Sequence, residues 1–479
     1  MKPTTEARSG WSRIYPAPVL AQFLVLILFV SVFGILPTAL RWPVRLLILA
    51  LFVILVWRGT VSYIKVAKRS RRVVFPFLLI LFNYALFEML CLGFDGIYLS
   101  QHPRYGRGRV QSLTREVQDS IQRLIDNQMT YMGFDGELGW TVNRNAEVGS
   151  YRSNSNGIRS RKEYSEKIPE GVIRAVCVGD SFTHGTEVGN EDTWQTQAEA
   201  LGTVEFLNLG VSGYGLLQTY LRYQKDGSRF DTDYVFIGYM SANLQRTVNV
   251  YRPFLRKGTG LDCAKPYASL DRDGNLVLNP NPLSTRDHYK RLLGDPDTIL
   301  AELASKDYYV QLRKDSLPVL PSRRVFPFLR RETNLWSHAA EILNLDAGDP
   351  PGLSLALISD YENRSYPFEA VKLLFDRFVA DVDTSGTRPL ILLFPNKVDV
   401  RTFNKRQPKT YAPLLNHFRE QGFVFVDFLD VFENHYGKLL PSKKMFGHSH
   451  DTREVNKIVG EYLVGRVGES GVQSVMKEK

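Results

Sequence analysis

The sequence around Ser181 has a pattern that is typical of a catalytic nucleophile. The apolar run 175–178 ends at Gly179 and Asp180, and Ser181 follows. A short Val-rich run bounded by turn residues predicts a fully buried strand, and Gly179 allows a sharp turn after it. Ligands bind at the carboxyl ends of strands in open α/β sheets, so a serine there can be a nucleophile if a base reaches it. The same residues also fit an ordinary strand-to-loop turn.

Three further polar stretches occupy comparable places in the chain. Residues 208–215 (Asn-Leu-Gly-Val-Ser-Gly-Tyr-Gly) follow a second apolar run, and residues 239–243 (Tyr-Met-Ser-Ala-Asn) end a third. Residues 448–450 (His-Ser-His) precede the last predicted helix. Because the carboxyl ends of parallel strands meet at one edge of a sheet, we expect all these stretches to meet in one site.

The order and spacing of these stretches resemble those of the SGNH (GDSL-type) hydrolase superfamily. The resemblance covers about residues 151–255 and 385–466, and its specificity comes from the ordered set of motifs. Residues 135–195 resemble the membrane-linked bacterial members, with Glu-Leu-Gly-Trp at 137–140 and Gly-Thr-Glu-Val at 185–188. The resemblance implies a three-layer αβα fold around a flavodoxin-like parallel sheet. It implies neither a cofactor nor a metal.

The resemblance also implies a role for each matching residue. Ser181 matches the nucleophile and His450 the general base, while the backbone N–H groups of Ser181 and Gly213 and the side-chain amide of Asn243 match the oxyanion donors. A serine hydroxyl needs an imidazole to take its proton, and fixed N–H donors stabilise the oxyanion that follows. By themselves, Gly213 could serve only a turn and Asn243 only a helix cap.

Two positions depart from the pattern of the superfamily. Gly447 stands where an Asp usually lies three residues before the histidine, and Leu244 replaces the Asp that usually follows the oxyanion Asn. The second change keeps the amide donor, whereas the first leaves His450 without its usual partner. We expect a backbone carbonyl of residues 445–448 or the ring of His448 to orient His450. The remaining alternative makes His448 the base.

The residues after His450 predict how its protonation is controlled. Residues 451–454 (Asp-Thr-Arg-Glu) resemble a capping box with Asp451 as the N-cap. The positive end of the following helix would then disfavour the imidazolium form and keep the ring ready to accept a proton.

Alternating elements must position these residues. Predicted strands lie at residues 173–179, 204–209, 233–240, 389–394 and 423–426. Predicted helices lie around residues 111–129, 192–201, 216–226, 366–382, 411–420 and 452–466. Strands that alternate with helices indicate a parallel sheet covered on both faces. Residues 255–360 interrupt the alternation and predict an inserted lid or substrate platform.

The N-terminal part has the pattern of a membrane anchor. Residues 17–40, 42–57 and 73–94 are apolar enough to predict three membrane-spanning helices. Residues 1–72 contain eleven Lys and Arg but one acidic residue, so they carry the whole net charge of +10. This location argues against a nucleic-acid-binding face. The basic loop 58–72 is predicted to be cytoplasmic, which places residues after 95 outside the cytoplasm.

The expected organisation therefore has three parts. Residues 1–98 form a transmembrane anchor, residues 99–150 a membrane-proximal helix and linker, and residues 151–479 a hydrolase-like domain with its insertion at about 255–360. The expected function is that of an inner-membrane serine esterase or O-acyltransferase acting outside the cytoplasm on an acylated glycan or lipid. Other membrane proteins of a glycan pathway are possible partners. The alternative is a catalytically degenerate, glycan-binding scaffold of a polysaccharide assembly, which the missing Asp favours.

Overall fold

The computed structural model describes residues 113–128, 130–202, 204–255, 261–315 and 365–467, with Tyr84, Phe87, Glu88, Cys91, Asp360 and Tyr361. The chain divides into two compact units, and the second comprises Gly108–Asp315 and Gly348–Lys479. The three predicted membrane segments lie almost wholly outside the described residues. Among the residues that are described, no helix has the length and apolar character needed to cross a bilayer.

The strands are, in chain order, β1 Met132–Asp135, β2 Gly139–Val142, β3 Glu147–Val148, β4 Tyr151–Arg152, β5 Ile173–Val178, β6 Val204–Asn208, β7 Tyr234–Met240, β8 Tyr267–Leu270, β9 Leu276–Asn279, β10 Arg388–Phe394 and β11 Phe425–Asp427. The helices are α1 Arg115–Ile125, α2 Ser181–His184, α3 Trp194–Glu199, α4 Leu216–Arg222, α5 Asn243–Val248, α6 Arg252–Leu255, α7 Arg286–Gly294, α8 Pro296–Lys306, α9 Tyr308–Asp315, α10 Tyr366–Thr384, α11 Lys397–Asn404, α12 Ala412–Gln421, α13 Phe428–Tyr436, α14 Ser442–Met445 and α15 Arg453–Val467.

The centre of the second unit is a parallel sheet of five strands. Its spatial order is β6-β5-β7-β10-β11, with every neighbouring pair parallel. Numbered along the chain, this is the 2-1-3-4-5 order of doubly wound folds. The predicted parallel α/β sheet is therefore confirmed.

Helices cover both faces of this sheet. In β7, Phe236 packs near Trp194 of α3, whereas Tyr239 contacts Phe375 of α10. Residues three apart on a strand point to opposite faces, so α3 and α10 lie on opposite sides of the sheet. Helix α15 packs along α3, and α10 packs along α4 and α5. This is a three-layer αβα arrangement.

A second core joins the N-terminal part of the unit to the insertion. Val117 and Ile121 of α1 and Trp140 of β2 share this core with Tyr289 and Leu292 of α7. Residues 113–128 and 130–152, in the region expected to be a membrane-proximal helix and linker, form helix α1 and two short hairpins within the same unit as the sheet.

Candidate active site

The turn after β5 holds Ser181 in a fixed, nearly buried position. Ser181 opens α2 and is 4% exposed, and the Asp180 carboxylate caps this turn by accepting a hydrogen bond from Phe182 N at 2.9 Å. A side chain at Gly179 would collide with Thr183 and with the backbone of Gly238, so glycine is required there. The serine hydroxyl is consequently presented at the carboxyl edge of the sheet.

The loop after β6 lies against the nucleophile turn. A Cβ on Gly210 would be 2.4 Å from His184 N, so the two loops are in close backbone contact. Gly213 has φ +85°, a left-handed conformation that glycine adopts without strain. Arg252 Nη1 donates to the Gly213 carbonyl at 3.0 Å and fixes this peptide.

Asn243 presents a free amide donor at the end of β7. Its side chain is 1% exposed, and its Oδ1 accepts a hydrogen bond from Arg246 Nη1 at 2.9 Å. Because a guanidinium can only donate, this contact defines which amide atom is oxygen. Nδ2 makes no hydrogen bond within the part of the chain that the structure describes. A buried donor without a partner costs free energy unless a ligand atom meets it, which fits an oxyanion donor.

The helix that carries Asn243 is anchored at its other end by a buried lysine. Lys265 donates to the carbonyl of Arg246 and to that of Asn249, the latter at 2.5 Å. Burial lowers the pKa of Lys265 to about 7, although Asp307 opposes this shift. Its hydrogen bonds satisfy carbonyls that the end of a helix otherwise leaves unpaired.

His450 lies beside the nucleophile turn, with one ring nitrogen bound to a carboxylate. Its ring centroid is 5.3 Å from that of Phe182, the residue after Ser181. Its Nδ1 is 2.9 Å from Glu187 Oε1 and 2.9 Å from Ser449 Oγ. Nε2 is therefore the ring nitrogen left for proton transfer with a substrate or nucleophile.

Glu187 is held as an ionised carboxylate. Ser449 donates to it from both its backbone N, at 2.9 Å, and its Oγ, at 2.8 Å. Partial burial alone would raise the pKa of Glu187, but the hydrogen bonds from His450 and Ser449 outweigh it and lower the pKa to about 2. The stabilisation from this carboxylate is fully present above its ordinary pKa and is lost as the pH falls towards 2.

Glu187 corrects the sequence-based expectation about what orients His450. Neither a carbonyl of residues 445–448 nor the ring of His448 occupies that role. His448 is exposed, and its carbonyl accepts a hydrogen bond from Lys397 Nζ at 2.7 Å. The carboxylate can approach the ring because Gly447 has no side chain. A Cβ on Gly447 would be 2.7 Å from Glu187 Oε2. Gly447 thus leaves room for a carboxylate that comes from the nucleophile loop.

The predicted capping box after His450 is also absent. Helix α15 begins at Arg453, one residue later than the box requires. Asp451 Oδ1 makes no hydrogen bond among the described residues, and Glu454 accepts one from Tyr436 OH instead. Burial, and then the charges of Asp180 and Glu187, raise the pKa of Asp451 well above its ordinary value.

The loop that carries Glu187 is held by a buried arginine. Arg159 is 1% exposed and donates to the carbonyls of Gly185 at 2.7 Å and Val188 at 2.5 Å. Glu187 N donates to Tyr151 OH at 3.0 Å. These contacts hold Glu187 at φ +80°, a conformation that is unfavourable for a residue with a side chain.

Together these groups form a site suited to acyl transfer through a serine. The edge of the sheet brings together a serine turn, a histidine oriented by an ionised carboxylate, and a buried amide donor. Within the described ranges, no group of three or more His, Cys, Asp or Glu residues could hold a metal ion. Sequence reasoning missed Glu187. Two features of the sequence together could have indicated Glu187. The stretch 185–188 contains an acidic residue, and position 447 lacks the acid that the superfamily pattern has there.

Comparison with known proteins gives only distant similarity. No protein-family model matches the sequence, and no curated protein matches it. One similar solved structure is of a protein assigned to the G-D-S-L family of lipolytic proteins from Desulfitobacterium hafniense. It is 13% identical, with a TM-score of 0.29 over 61% of this chain and 98% of that chain. Another is 11% identical, with a TM-score of 0.26 over 61% of this chain and 95% of its own. Similarity this distant assigns no activity.

We expect Glu187→Gln to slow the reaction of Ser181 with a fluorophosphonate probe by about 10²- to 10⁴-fold, because a neutral amide neither orients the ring equally nor stabilises the imidazolium. The rate constant of labelling measures this effect. Glu191→Gln is the matched control, since Glu191 lies in the same loop but pairs with Arg161 at the surface. Equal labelling rates for Glu187→Gln and the wild type would remove Glu187 from the site.

Gly447→Ala tests the same contact by steric exclusion. Its Cβ would displace the Glu187 carboxylate, so we expect a loss of labelling rate similar to that of Glu187→Gln. In a Glu187→Ala background, Gly447→Asp should recover part of the rate by supplying a carboxylate from the opposite side. No recovery in a correctly folded double variant would argue against interchangeable carboxylates.

Proposed function

We propose that this protein is a serine esterase or O-acyltransferase that forms an acyl-enzyme on Ser181. The observation that carries the proposal is the 2.9 Å contact between Glu187 Oε1 and His450 Nδ1, in a ring that packs beside the nucleophile turn. An ionised carboxylate on one nitrogen of an imidazole makes the other nitrogen a better proton acceptor. This arrangement serves nucleophilic catalysis more directly than it serves binding alone.

The proposed reaction starts with attack of Ser181 Oγ on the carbonyl carbon of an ester. His450 Nε2 takes the serine proton, and the Glu187 carboxylate stabilises the resulting imidazolium. The negative charge that develops on the carbonyl oxygen is met by the N–H groups of Ser181 and Gly213 and by Asn243 Nδ2. The intermediate then expels the alcohol, which receives the proton from His450 and leaves an acyl group on Ser181.

The second half of the reaction reverses these roles. Water or the hydroxyl of an acceptor gives its proton to His450 and attacks the acyl carbon, which releases the acyl group and restores the serine. Hydrolysis and acyl transfer therefore share one intermediate and differ in which hydroxyl reaches it. The proposed substrate is an acylated carbohydrate or lipid.

The alternative of a degenerate glycan-binding scaffold loses its main support. That alternative was favoured by the absence of an acid at Gly447. Glu187 supplies a carboxylate to the same ring from another loop, and Gly447 provides the space for it. Asn243 Nδ2, which is buried and has no hydrogen-bond partner among the described residues, also fits an oxyanion donor.

Asn243→Ala should lower kcat on a small acetyl ester by about 10²- to 10³-fold with little change in KM, because the amide acts mainly on the oxyanion of the intermediate. Steady-state kinetics with the purified protein measure both constants. Gln245→Ala is the matched control on the same helix, since Gln245 bonds to Asp360.

Ser181→Ala defines the background of this assay and should abolish turnover. An Asn243→Ala variant that changes KM alone would mean that Asn243 binds substrate. Unchanged turnover by Ser181→Ala would exclude the proposed mechanism.

We also propose that the catalytic unit lies outside the cytoplasm, on the periplasmic side of the inner membrane. The support is the charge distribution, because the excess of Lys and Arg lies within residues 1–72 and concentrates in the loop 58–72. Membrane anchoring brings the site to substrates at the membrane surface, including those delivered by other membrane proteins of a glycan pathway.

A reporter that is active only in the cytoplasm should be silent when fused after Lys479 and active when inserted in the loop 58–72. These two fusions serve as controls for each other, since both use the same chain. Strong activity of the fusion after Lys479 would contradict the proposed topology.

A further inference from the structure

The hairpin of β1 and β2 contains the Glu-Leu-Gly-Trp stretch at 137–140 and has no part in the proposed mechanism. Two hydrogen bonds of Trp140 join it to the loop after β6. The Trp140 indole Nε1 donates to the Ser212 carbonyl at 2.9 Å, and the Trp140 carbonyl accepts from Tyr214 OH at 2.6 Å. The residue between these two partners is Gly213, so the hairpin holds the loop on both sides of a proposed oxyanion donor.

The hairpin is itself fixed in place. Trp140 is fully buried, and Gln218 Nε2 donates to the Leu138 carbonyl at 2.8 Å. Gly139 has φ +86°, and a Cβ there would be 2.4 Å from the Ala264 carbonyl, so the hairpin packs closely against a further segment. The Trp140 indole is therefore a rigid donor.

Three consecutive carbonyls of the loop each accept a hydrogen bond from the side chain of a different element. The donors are Trp140 of β2 for the Ser212 carbonyl, Arg252 Nη1 of α6 for that of Gly213 at 3.0 Å, and Arg246 Nη1 of α5 for that of Tyr214 at 3.1 Å. An irregular loop has no ladder of its own to satisfy its carbonyls. These side chains supply the missing donors and fix the planes of successive peptides.

The bond from Trp140 acts on the peptide that carries the Gly213 N–H. The Ser212 carbonyl and the Gly213 N–H belong to one planar peptide, and in a trans peptide these two groups point in opposite directions. Because Trp140 fixes the direction of the carbonyl, it also fixes the direction of the N–H, which points away from the indole. A carbonyl that accepts a hydrogen bond also polarises its peptide and makes the N–H a stronger donor.

The same loop contacts the segment that carries the nucleophile. Val211 N donates to the Gly179 carbonyl at 3.0 Å, and Ser212 Oγ is 2.5 Å from Thr186 Oγ1. These two contacts flank Ser181 in the chain. The peptide held by Trp140 consequently lies beside the nucleophile turn.

We propose that Trp140 is a positioning residue, which orients the Ser212–Gly213 peptide so that its N–H meets the oxyanion. This rests on the proposed function, in which that N–H is one of the oxyanion donors. Fixed donors stabilise an oxyanion because they need no reorganisation during the reaction. Without the indole N–H, the Ser212 carbonyl loses its partner, and the peptide can turn towards another donor because Gly213 permits a wide range of backbone angles.

Trp140→Phe tests this role in the full chain, because it removes the indole N–H and keeps an aromatic ring. Turnover of a small acetyl ester is measured and expressed per serine labelled to completion by a fluorophosphonate, so that only competent sites are counted. We expect kcat to fall about 10-fold with little change in KM. The loss is smaller than the 10²- to 10³-fold typical of removing a donor outright, since the N–H remains but is less well directed.

Trp194→Phe is the matched control. Trp194 is 1% exposed, and its Nε1 has no hydrogen-bond partner among the described residues, so this variant loses a buried indole but no hydrogen bond. We expect its kcat to equal that of the wild type, even if thermal unfolding shows a similar loss of stability in both variants.

An isosteric replacement keeps the test valid if Trp140→Phe does not fold. 3-Benzothienylalanine, incorporated in place of Trp140, preserves the shape of the indole and has sulfur instead of the N–H. It should show the same fall in kcat. A wild-type kcat in this variant, or an equal fall in Trp194→Phe, would overturn the inference and leave the proposed function intact. No turnover of the ester by the wild type would overturn both.

Discussion

The contact between Glu187 and His450 is the interaction on which the site depends. It joins the loop after the nucleophile strand to the loop before the last helix, across 263 positions of the chain. Without it, His450 would keep only the Ser449 hydroxyl on Nδ1, and no negative charge would stabilise the imidazolium. Surrounding features serve this contact: Gly447 leaves space for the carboxylate, and Arg159 fixes the loop that carries it. The left-handed backbone of Glu187 costs of order 1 kcal/mol, which these contacts offset.

The sheet order explains how distant segments reach one place. Strand β5 lies between β6 and β7, so the loops that carry Ser181, Gly213 and Asn243 leave three adjacent strands at the same edge. Helix α15 packs on α3, the helix that follows the nucleophile loop, and this packing brings His450 back to that loop. The site is therefore a consequence of a doubly wound topology together with one helix–helix contact.

Much of this fold is encoded locally and was predictable. The predicted strand at 173–179 is β5 at Ile173–Val178, and the predicted helix at 366–382 is α10 at Tyr366–Thr384. Buried strands are continuous apolar runs, and long helices have an amphipathic period, so both leave a clear pattern. The strand expected at 423–426 is β11 at Phe425–Asp427, so it begins two residues later and ends one residue later than predicted. Boundaries of this kind depend on tertiary contacts rather than on local pattern.

The missed features are those that depend on contacts between distant residues. Residues 135–170 contain many polar side chains and no clear period, yet they form hairpins and supply the buried Arg159. Arg159 is tolerated there because backbone carbonyls satisfy its guanidinium, and nothing in the local sequence reveals that pairing. Glu187 was missed for the same reason. The sequence reveals the absence of an acid at Gly447, but only the structure shows which carboxylate fills the space.

The most direct test of the account is to identify the acylated residue. The protein is mixed with an activated acetyl ester, quenched in acid within the first turnover, digested and mapped by mass spectrometry. The account predicts the mass of one acetyl group on the peptide that contains Ser181, with less acetyl-enzyme formed in the same time by Glu187→Gln. Acetylation of a different residue, or turnover of the ester without any acetylated peptide, would contradict it.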